Sequence, residues 1–303
     1  MTDTPGREIL RQITYARAAA TGPGRAVIRL VENATGRRAL LRRARGAAPE
    51  GDWAGDTGCG GFWQQMPARF GISLDIRSGI LDAIPANGPL VLVANHPFGI
   101  LDGLVMGHVL ARARGDFRIL ANSVFGGVEA LSRAVLPIDF AETRAATEMN
   151  LATRATALRY LAGGGAIGIF PGGTVSTAAR PFGVPLDPAW RSFTAKLVAR
   201  SGATVVPLFY EGCNSRLFQL ASHLSSTLRL ALLLREFRAR TDTAVRLHVG
   251  APLAAADLAA LGRDPNAMMD TLRRATYQLS PDPLPPGPGF DFGRTVARRG
   301  RVA

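Results

Sequence analysis

One short segment, residues 94–103 with the sequence ANHPFGILDG, combines the residue types needed for proton transfer. His96 and Asp102 lie in it, and Pro97 and Gly99 between them predict an irregular turn. A carboxylate that contacts one imidazole nitrogen fixes the ring's tautomer and stabilises its protonated form. Such a histidine can act as a general base on a hydroxyl group. A structural alternative stays open, in which the acid caps a helix and the histidine only packs nearby.

A second segment, IFPGGTVST at residues 169–177, is an apolar run followed by a glycine-rich turn. Consecutive backbone N–H groups in such a turn can hold an oxyanion or a thioester carbonyl. We therefore expect Gly172, Gly173 and Thr174 to contact substrate, although this pattern by itself predicts only a turn.

Two further polar residues follow apolar runs and are candidate substrate contacts. Asn95 directly precedes His96, and Arg216 lies in the polar loop that ends VVPLFYEGCNSRLFQ, residues 205–219. Ligands in α/β proteins gather beyond the carboxyl ends of the strands.

Short apolar runs alternate with helical periodicity from about residue 86 onward. The runs that predict buried strands span residues 89–95, 117–122, 135–140, 166–171, 204–210 and 245–250. The segments that predict helices span residues 101–114, 143–162, 189–200 and 214–238. This alternation predicts an α/β fold with a central, largely buried sheet and helices on both faces.

The composition divides the chain into three parts. Residues 1–85 form a basic N-terminal helical segment and linker, with helices predicted at 8–20 and 25–45. Residues 86–255 contain the strand–helix alternation and the candidate site. Residues 256–303 are predicted to hold a C-terminal helix and a tail rich in proline and arginine.

The charge favours an anionic partner. The net charge is +13, and every basic residue except Lys196 is an arginine, with the excess densest in residues 1–50. Such a surface suits phosphates, anionic lipid headgroups or an acidic carrier protein. The basic amphipathic segment 25–45 is typical of membrane-surface binding, or equally of an ordinary solvated helix face. A general arginine bias is a further alternative. With 7% aromatic residues and no nucleic-acid module, nucleic acid is not expected as a partner.

Several site classes are not supported by the sequence. Two cysteines make no disulfide framework, and the four histidines lack the spacing of metal ligands, so we expect no metal and no cofactor. The run GGGAIG, residues 163–168, follows a predicted helix and precedes a strand, the reverse of a dinucleotide site. No signal peptide and no run of about 18 apolar residues is present, so we expect no membrane-spanning helix.

Taken in order, these segments resemble the lysophospholipid acyltransferase (glycerolipid O-acyltransferase) family. That family has an N-H-x-x-x-x-D block, a block with glycine and a phosphate-binding arginine, an F-P-E-G-T-R-S block and a V-P block. The counterparts here are NHPFGILD, residues 125–139, FPGGTVS and VVPLFYEG, and together they cover residues 86–255. The sequences NHPFG, EGCNSRLFQ and LRLALLLREF most resemble the bacterial branch of the family that contains hemolysin-type and ornithine-lipid acyltransferase domains.

The departures from the family pattern concern the acceptor. The His-to-Asp spacing is one residue longer than usual. Gly172 replaces the glutamate of the third block, and Val175 and Phe140 replace arginines that are thought to hold the acceptor's phosphate. Losing two such donors favours a lyso-lipid without a phosphate, for example a lyso-aminolipid. Arg133 and Arg216 stay open as substitutes.

The resemblance implies an O-acyltransferase that works without a cofactor. His96, oriented by Asp102, would activate the hydroxyl of a lyso-lipid, favoured as lyso-ornithine lipid, to attack the thioester of acyl-ACP or acyl-CoA. The implied location is peripheral, on the cytoplasmic face of the inner membrane. Two alternatives are a 1-acyl-sn-glycerol-3-phosphate acyltransferase and a non-catalytic protein that binds anionic lipid.

Overall fold

A seven-stranded sheet and its flanking helices make up most of the computed structural model. It describes residues 14–19, 21–46, 60–122, 133–139, 143–260 and 264–291. The strands are β1 (Ser73–Ser78), β2 (Leu90–Ala94), β3 (Arg118–Asn122), β4 (Val135–Ile138), β5 (Ala166–Ile169), β6 (Thr177–Ala178), β7 (Pro185–Leu186), β8 (Thr204–Tyr210) and β9 (Ala244–Val249). The α-helices are α1 (Gly22–Thr35), α2 (Arg37–Gly46), α3 (Gly60–Arg69), α4 (Ile100–Arg114), α5 (Arg144–Ala162), α6 (Phe193–Ser201), α7 (Arg216–Leu224), α8 (Ser226–Ala239), α9 (Ala255–Ala259) and α10 (Pro265–Tyr277).

The large sheet has the strand order β1-β9-β8-β2-β5-β3-β4. Strands β8, β2, β5, β3 and β4 are parallel, whereas β9 pairs with β8 in the antiparallel sense and β1 runs parallel to β9. Strands β6 and β7 form a separate antiparallel pair. The carboxyl ends of β2, β5 and β8 therefore lie side by side at one edge.

Helices cover both faces of the sheet. One face packs against α3, α4 and α8, through side chains such as Trp63, Met106 and Phe237. The other packs against α5, α6 and α10, through side chains such as Leu161 and Leu197. All five residues of β2 are buried, as expected for a parallel strand with both faces covered. The predicted α/β fold is confirmed.

Two predicted helices are each divided in the structure. Residues 25–45 break at Gly36, where an added Cβ would lie only 2.7 Å from the carbonyl oxygen of Leu234. Residues 214–238 break at Ser225, whose hydroxyl accepts the N–H of Leu228 and so starts a new helix. The sequence pattern predicted each of these segments as one continuous helix.

The sheet extends beyond the segment 86–255 that the sequence pattern marked. Strand β1 lies within residues 1–85, which were predicted to be helical segment and linker only, and it pairs with β9. Its sequence SLDIRS alternates polar and apolar residues and has no apolar run to mark it. At the other end, Met268 and Leu272 of α10 are buried against the sheet.

The N-terminal prediction is only partly described. Within the predicted helix 8–20, Tyr15–Ala18 forms one turn of 3-10 helix, while residues 1–13 and 20 lie outside the described residues. The tail from residue 292 onward also lies outside them. None of the described helices contains a stretch long and apolar enough to cross a bilayer.

The contact between α3 and α4 predicts an unequal response to two alanine substitutions. A Cβ at Gly107 would lie 2.1 Å from Cε3 of the buried Trp63 ring, whereas one at Gly103 meets nothing within 4 Å. We expect Gly107→Ala to lower the free energy of unfolding by about 1–3 kcal/mol through overpacking. In the same helix, Gly103→Ala should be neutral or stabilising by up to about 1 kcal/mol. Urea unfolding followed by circular dichroism measures both, and a Gly107→Ala variant as stable as wild type would contradict this packing.

Candidate active site

The imidazole of His96 and the carboxylate of Asp102 are in contact. Nδ1 of His96 lies 2.9 Å from Oδ2 of Asp102. The same oxygen accepts the backbone N–H groups of Phe98 at 2.8 Å and of Gly99 at 2.9 Å. Asp102 lies in the first turn of α4, where a carboxylate that caps orphan N–H groups is favoured. The acid therefore caps the helix, as in the structural alternative, and also contacts the histidine, as the catalytic alternative requires.

A turn accommodates the long spacing between the two residues. Gly99 has φ 86°, in the left-handed region that glycine adopts without strain. Its added Cβ would lie 3.2 Å from the side chain of Val175, which sits in the glycine-rich loop. His96 Nδ1 and Asp102 Oδ2 are close but do not meet the angular requirement of a hydrogen bond. The other carboxylate oxygen, Oδ1 of Asp102, is buried and has no hydrogen-bond partner among the described residues.

The other side of the His96 ring is available to a substrate. The side chain is 18% exposed, whereas that of Asp102 is fully buried. The ring stacks on Phe170, with centroids 4.2 Å apart and planes 25° apart. Phe170 directly follows β5, so the neighbouring strand supplies the wall that fixes the ring's orientation. Within the described residues, Nε2 of His96 has no hydrogen-bond partner.

The main chain of His96 is held from both sides by the segment that follows β5. Its N–H donates to Oδ1 of Asp187 at 3.0 Å, and its carbonyl accepts the N–H of Ser176 at 2.8 Å. The Ser176 hydroxyl and Trp190 Nε1 also donate to Asp187, at 2.5 and 2.9 Å. Burial raises the pKa of the Asp187 carboxyl. Sequence analysis missed Asp187, although its place directly after the apolar run of β7 was the available signal.

The glycine-rich loop differs from the expectation in one of its amides. The N–H of Gly173 donates to the carbonyl of Phe170 at 2.9 Å, which closes a turn and removes that amide from the candidate oxyanion donors. Gly172 packs on Asp187, and its N–H makes no hydrogen bond to the described residues. Thr174 uses its hydroxyl as an acceptor for Arg229. Gly172 is thus the amide of the expected pair that stays unused.

Arg229 of α8 fixes this loop from below. Its guanidinium donates to Oγ1 of Thr174 at 3.0 Å, to the carbonyl of Val175 at 2.6 Å and to Oγ1 of Thr177 at 2.5 Å. It also donates to the Ser222 hydroxyl at 2.9 Å, and the residue is 5% exposed. Burial lowers the pKa of Arg229 to about 9, so the group is charged at neutral pH. Its only sequence signal was an arginine within an apolar helical run.

Two predicted substrate residues, Asn95 and Arg216, differ in their surroundings. Asn95 is 4% exposed, and its side chain bonds to the N–H and the carbonyl of Tyr210 at 2.7 and 2.9 Å. It therefore ties the end of β2 to the end of β8. Arg216 is exposed at the first residue of α7 and makes no hydrogen bond or ion pair with the described residues. Most of the predicted second block, residues 123–132, lies outside the described residues, as does Phe140.

Other histidines have structural contacts. Nδ1 of His108 lies 3.1 Å from the carbonyl of Gln64 on α3. His248 is buried between the Ser78 hydroxyl, 2.9 Å from Nδ1, and Glu211, 3.3 Å from Nε2. His248 is thus also paired with a carboxylate, but its side chain is only 6% exposed, against 18% for His96.

Comparison with known proteins now gives the family. A sequence profile described as acyltransferase matches residues 66–282, which run from α3 to beyond α10 and so include the whole sheet. The chain belongs to this acyltransferase family. The matched segment contains His96, Asp102, Asp187 and Arg229.

Comparisons with two individual proteins also give matches. A lyso-glycine lipid O-acyltransferase from Phocaeicola vulgatus is 28% identical over 151 residues, which are 49% of this chain and 51% of that protein. The chain thus spans about half the length of this curated relative. The crystal structure of the 1-acyl-sn-glycerophosphate (LPA) acyltransferase PlsC from Thermotoga maritima matches with a TM-score of 0.48 and 15% identity. That match covers 75% of this chain and 80% of the other.

The contacts of Asn95 predict a loss of stability when its amide is removed. Asn95→Ala leaves the buried N–H and carbonyl of Tyr210 unpaired, so we expect the free energy of unfolding to fall by about 1–3 kcal/mol. Denaturant unfolding without lipid measures the change. Unchanged stability together with a raised KM for the acceptor would instead restore the predicted substrate contact.

Proposed function

We propose that the protein is an O-acyltransferase that moves a fatty acyl group from a thioester donor, acyl-ACP or acyl-CoA, to the hydroxyl of a lyso-lipid. The observation that carries this proposal is the contact of the accessible His96 ring with the buried Asp102 carboxylate just beyond the C-terminal end of β2. Membership of the acyltransferase family supports it.

In the proposed mechanism, Nε2 of His96 takes the proton of the acceptor hydroxyl, and the oxygen attacks the thioester carbonyl. Asp102 stabilises the imidazolium that forms, because its charge lies against Nδ1. The tetrahedral intermediate then collapses with loss of the thiolate, which takes the proton from the imidazolium. The products are a diacylated lipid and a free thiol, and the enzyme returns to its starting protonation state.

Oxyanion stabilisation is assigned to the loop that Arg229 holds. The N–H of Gly172 is the candidate donor, since the N–H of Gly173 already closes the turn. A donor fixed before the reaction stabilises the developing charge without reorganisation. Four hydrogen bonds from Arg229 to this loop and to Ser222 supply such rigidity.

For the acceptor we propose a lyso-aminolipid, such as a lyso-ornithine or lyso-glycine lipid. One reason is that Val175 and Phe140 replace the arginines that are thought to hold the acceptor's phosphate in the resembling family. The other is that a protein named lyso-glycine lipid O-acyltransferase matches this chain over 51% of its own length. The competing acceptor is 1-acyl-sn-glycerol-3-phosphate, which requires a cationic phosphate site. Arg216 is exposed and without ion-pair partners in the described chain, so it is the residue to test for that role.

The partner surface we propose is an anionic membrane, at the cytoplasmic face of the inner membrane. Val27 and Leu30 of α1 are 41% and 71% exposed, next to the exposed Arg25 and Arg29. Because α1 packs on α8, the 40% exposed Leu228 belongs to the same side of the molecule. Apolar side chains bordered by arginines suit the interface of an anionic bilayer.

Removing the imidazole should abolish acyl transfer. His96→Ala should lower thiol release from acyl-CoA and acyl-ACP by at least about 100-fold, since general base catalysis is lost. The matched control, His108→Gln, should keep the wild-type rate, because His108 lies away from the site against α3. The assay presents lyso-ornithine lipid, lyso-glycine lipid or 1-acyl-sn-glycerol-3-phosphate in anionic vesicles and follows free thiol.

The outcomes separate the alternatives. Turnover with an aminolipid acceptor supports the proposal, and turnover with the phosphate acceptor only would move the assignment to phospholipid synthesis. Vesicle binding by the wild type without thiol release from any donor would favour a non-catalytic lipid-binding protein. Activity of His96→Ala within a factor of about two of wild type would contradict the mechanism.

A further inference from the structure

A second buried carboxylate, that of Asp187, accepts the backbone N–H of His96 at 3.0 Å. We propose that Asp187 is a positioning residue for acyl transfer, which fixes the main chain of His96 and adds a negative charge that favours the imidazolium. This inference rests on the proposed function, because it assigns a part to a group that the mechanism above does not use.

The contacts of Asp187 are those of an anchor. Its carboxylate receives three hydrogen bonds, from the His96 N–H and the Ser176 hydroxyl to Oδ1 and from Trp190 Nε1 to Oδ2. Because Ser176 also donates to the carbonyl of His96, a closed ring of hydrogen bonds joins the histidine to the glycine-rich loop. The carboxylate therefore sets the position of the imidazole through the backbone N–H of His96.

The main chain of Asp187 is itself fixed by the C-terminal part of the protein. Its N–H donates to the Tyr277 hydroxyl of α10 at 2.8 Å, and its carbonyl accepts the N–H of Gly289 at 2.7 Å. An added Cβ at Gly289 would lie only 1.9 Å from the carbonyl oxygen of Leu186, so the chain packs tightly here. A residue held at its main chain on both sides can in turn hold another one rigidly.

The charge of Asp187 acts on His96 in a surrounding with little water. Asp187 is fully buried. The charged or titratable groups near the pair in the described chain include Asp102 beside the ring, Tyr210, whose hydroxyl donates to the carbonyl of Asp102, and Tyr277 beside Asp187. Arg229 bonds to the glycine-rich loop, and Tyr15 packs against the cluster that contains Val175 of that loop. Burial raises the pKa of Tyr277 well above its usual value, so this phenol is neutral. Asp102 thus contacts the ring of His96 and Asp187 contacts its backbone N–H, so two carboxylates lie where they can attract the positive charge that develops on the ring during acyl transfer.

The hydrogen-bond pattern offers a way to separate charge from geometry. In Asp187→Asn the amide oxygen can keep the two donors at Oδ1, but the amide NH₂ then faces the N–H of Trp190, donor against donor. In the double variant Asp187→Asn with Trp190→Phe, this conflict is absent, although the charge is still missing. Trp190→Phe alone keeps the charge and removes one donor.

The pH dependence of kcat/KM for thiol release, with circular dichroism as the test of folding, distinguishes these variants. For Asp187→Asn we expect kcat to fall by about 10- to 100-fold with little change in KM for the acceptor, through misplacement of the imidazole. The acid limb should move to lower pH by about one unit, because the protonated ring loses a neighbouring negative charge. The double variant should regain part of kcat while keeping the shifted limb, and Trp190→Phe should keep the wild-type limb.

An acid limb at the wild-type pH in both asparagine variants would overturn the proposal, as would a loss of kcat in Asp187→Asn that only follows lost folding.

A second readout needs no turnover: NMR of the His96 ring in the wild type and in the double variant. The midpoint of the ring titration should move to lower pH in the double variant, and no movement would refute the role of the charge. If no acceptor gives turnover, the proposed function fails while this readout still decides the role of Asp187.

Discussion

The site depends on the burial of one carboxylate, that of Asp102. A buried charge is costly unless donors surround it, and here the backbone N–H groups of Phe98 and Gly99, just before α4, donate to it while the His96 ring lies against it. The helix start cannot shift without losing its cap, so the acid is immobile. Because the acid is immobile, the imidazole has one side on which Nδ1 can lie against Oδ2, at 2.9 Å, and Nε2 is left without a hydrogen-bond partner among the described residues.

Long-range hydrogen bonds carry this constraint into the sheet. Asn95 ties β2 to β8 through the main chain of Tyr210, and Ser176 ties the chain after β5 to His96. Phe170 supplies the stacking surface from β5. The residues that follow β2, β5 and β8 thus fix the His96 ring, the Phe170 ring stacked on it and the glycine-rich loop relative to one another. Arg229 of α8 then fixes the loop, because its guanidinium donates to the hydroxyls of Thr174 and Thr177 and to the carbonyl of Val175.

Sequence could predict the parts of this site that are local. Histidine and aspartate share one turn, and the strands that precede the loops are continuous apolar runs, which mark buried parallel strands. Asp187 and Arg229 escaped because their contacts lie 91 and 55 residues away along the chain, and the apolar runs beside them do not indicate such partners. Strand β1 escaped because an edge strand of alternating residues carries no apolar run. Asn95 was found by its position, but its bonds to the main chain of Tyr210 were not foreseen, since periodicity does not show what a side chain bonds to.

Nitrogen-15 NMR of the His96 imidazole tests the central claim most directly, because it reports which ring nitrogen carries the proton. The account predicts that the neutral ring of the wild-type protein carries its proton on Nδ1, against Asp102, and leaves Nε2 free to accept one. A neutral ring protonated on Nε2, or one that exchanges between both tautomers as in free imidazole, would contradict it.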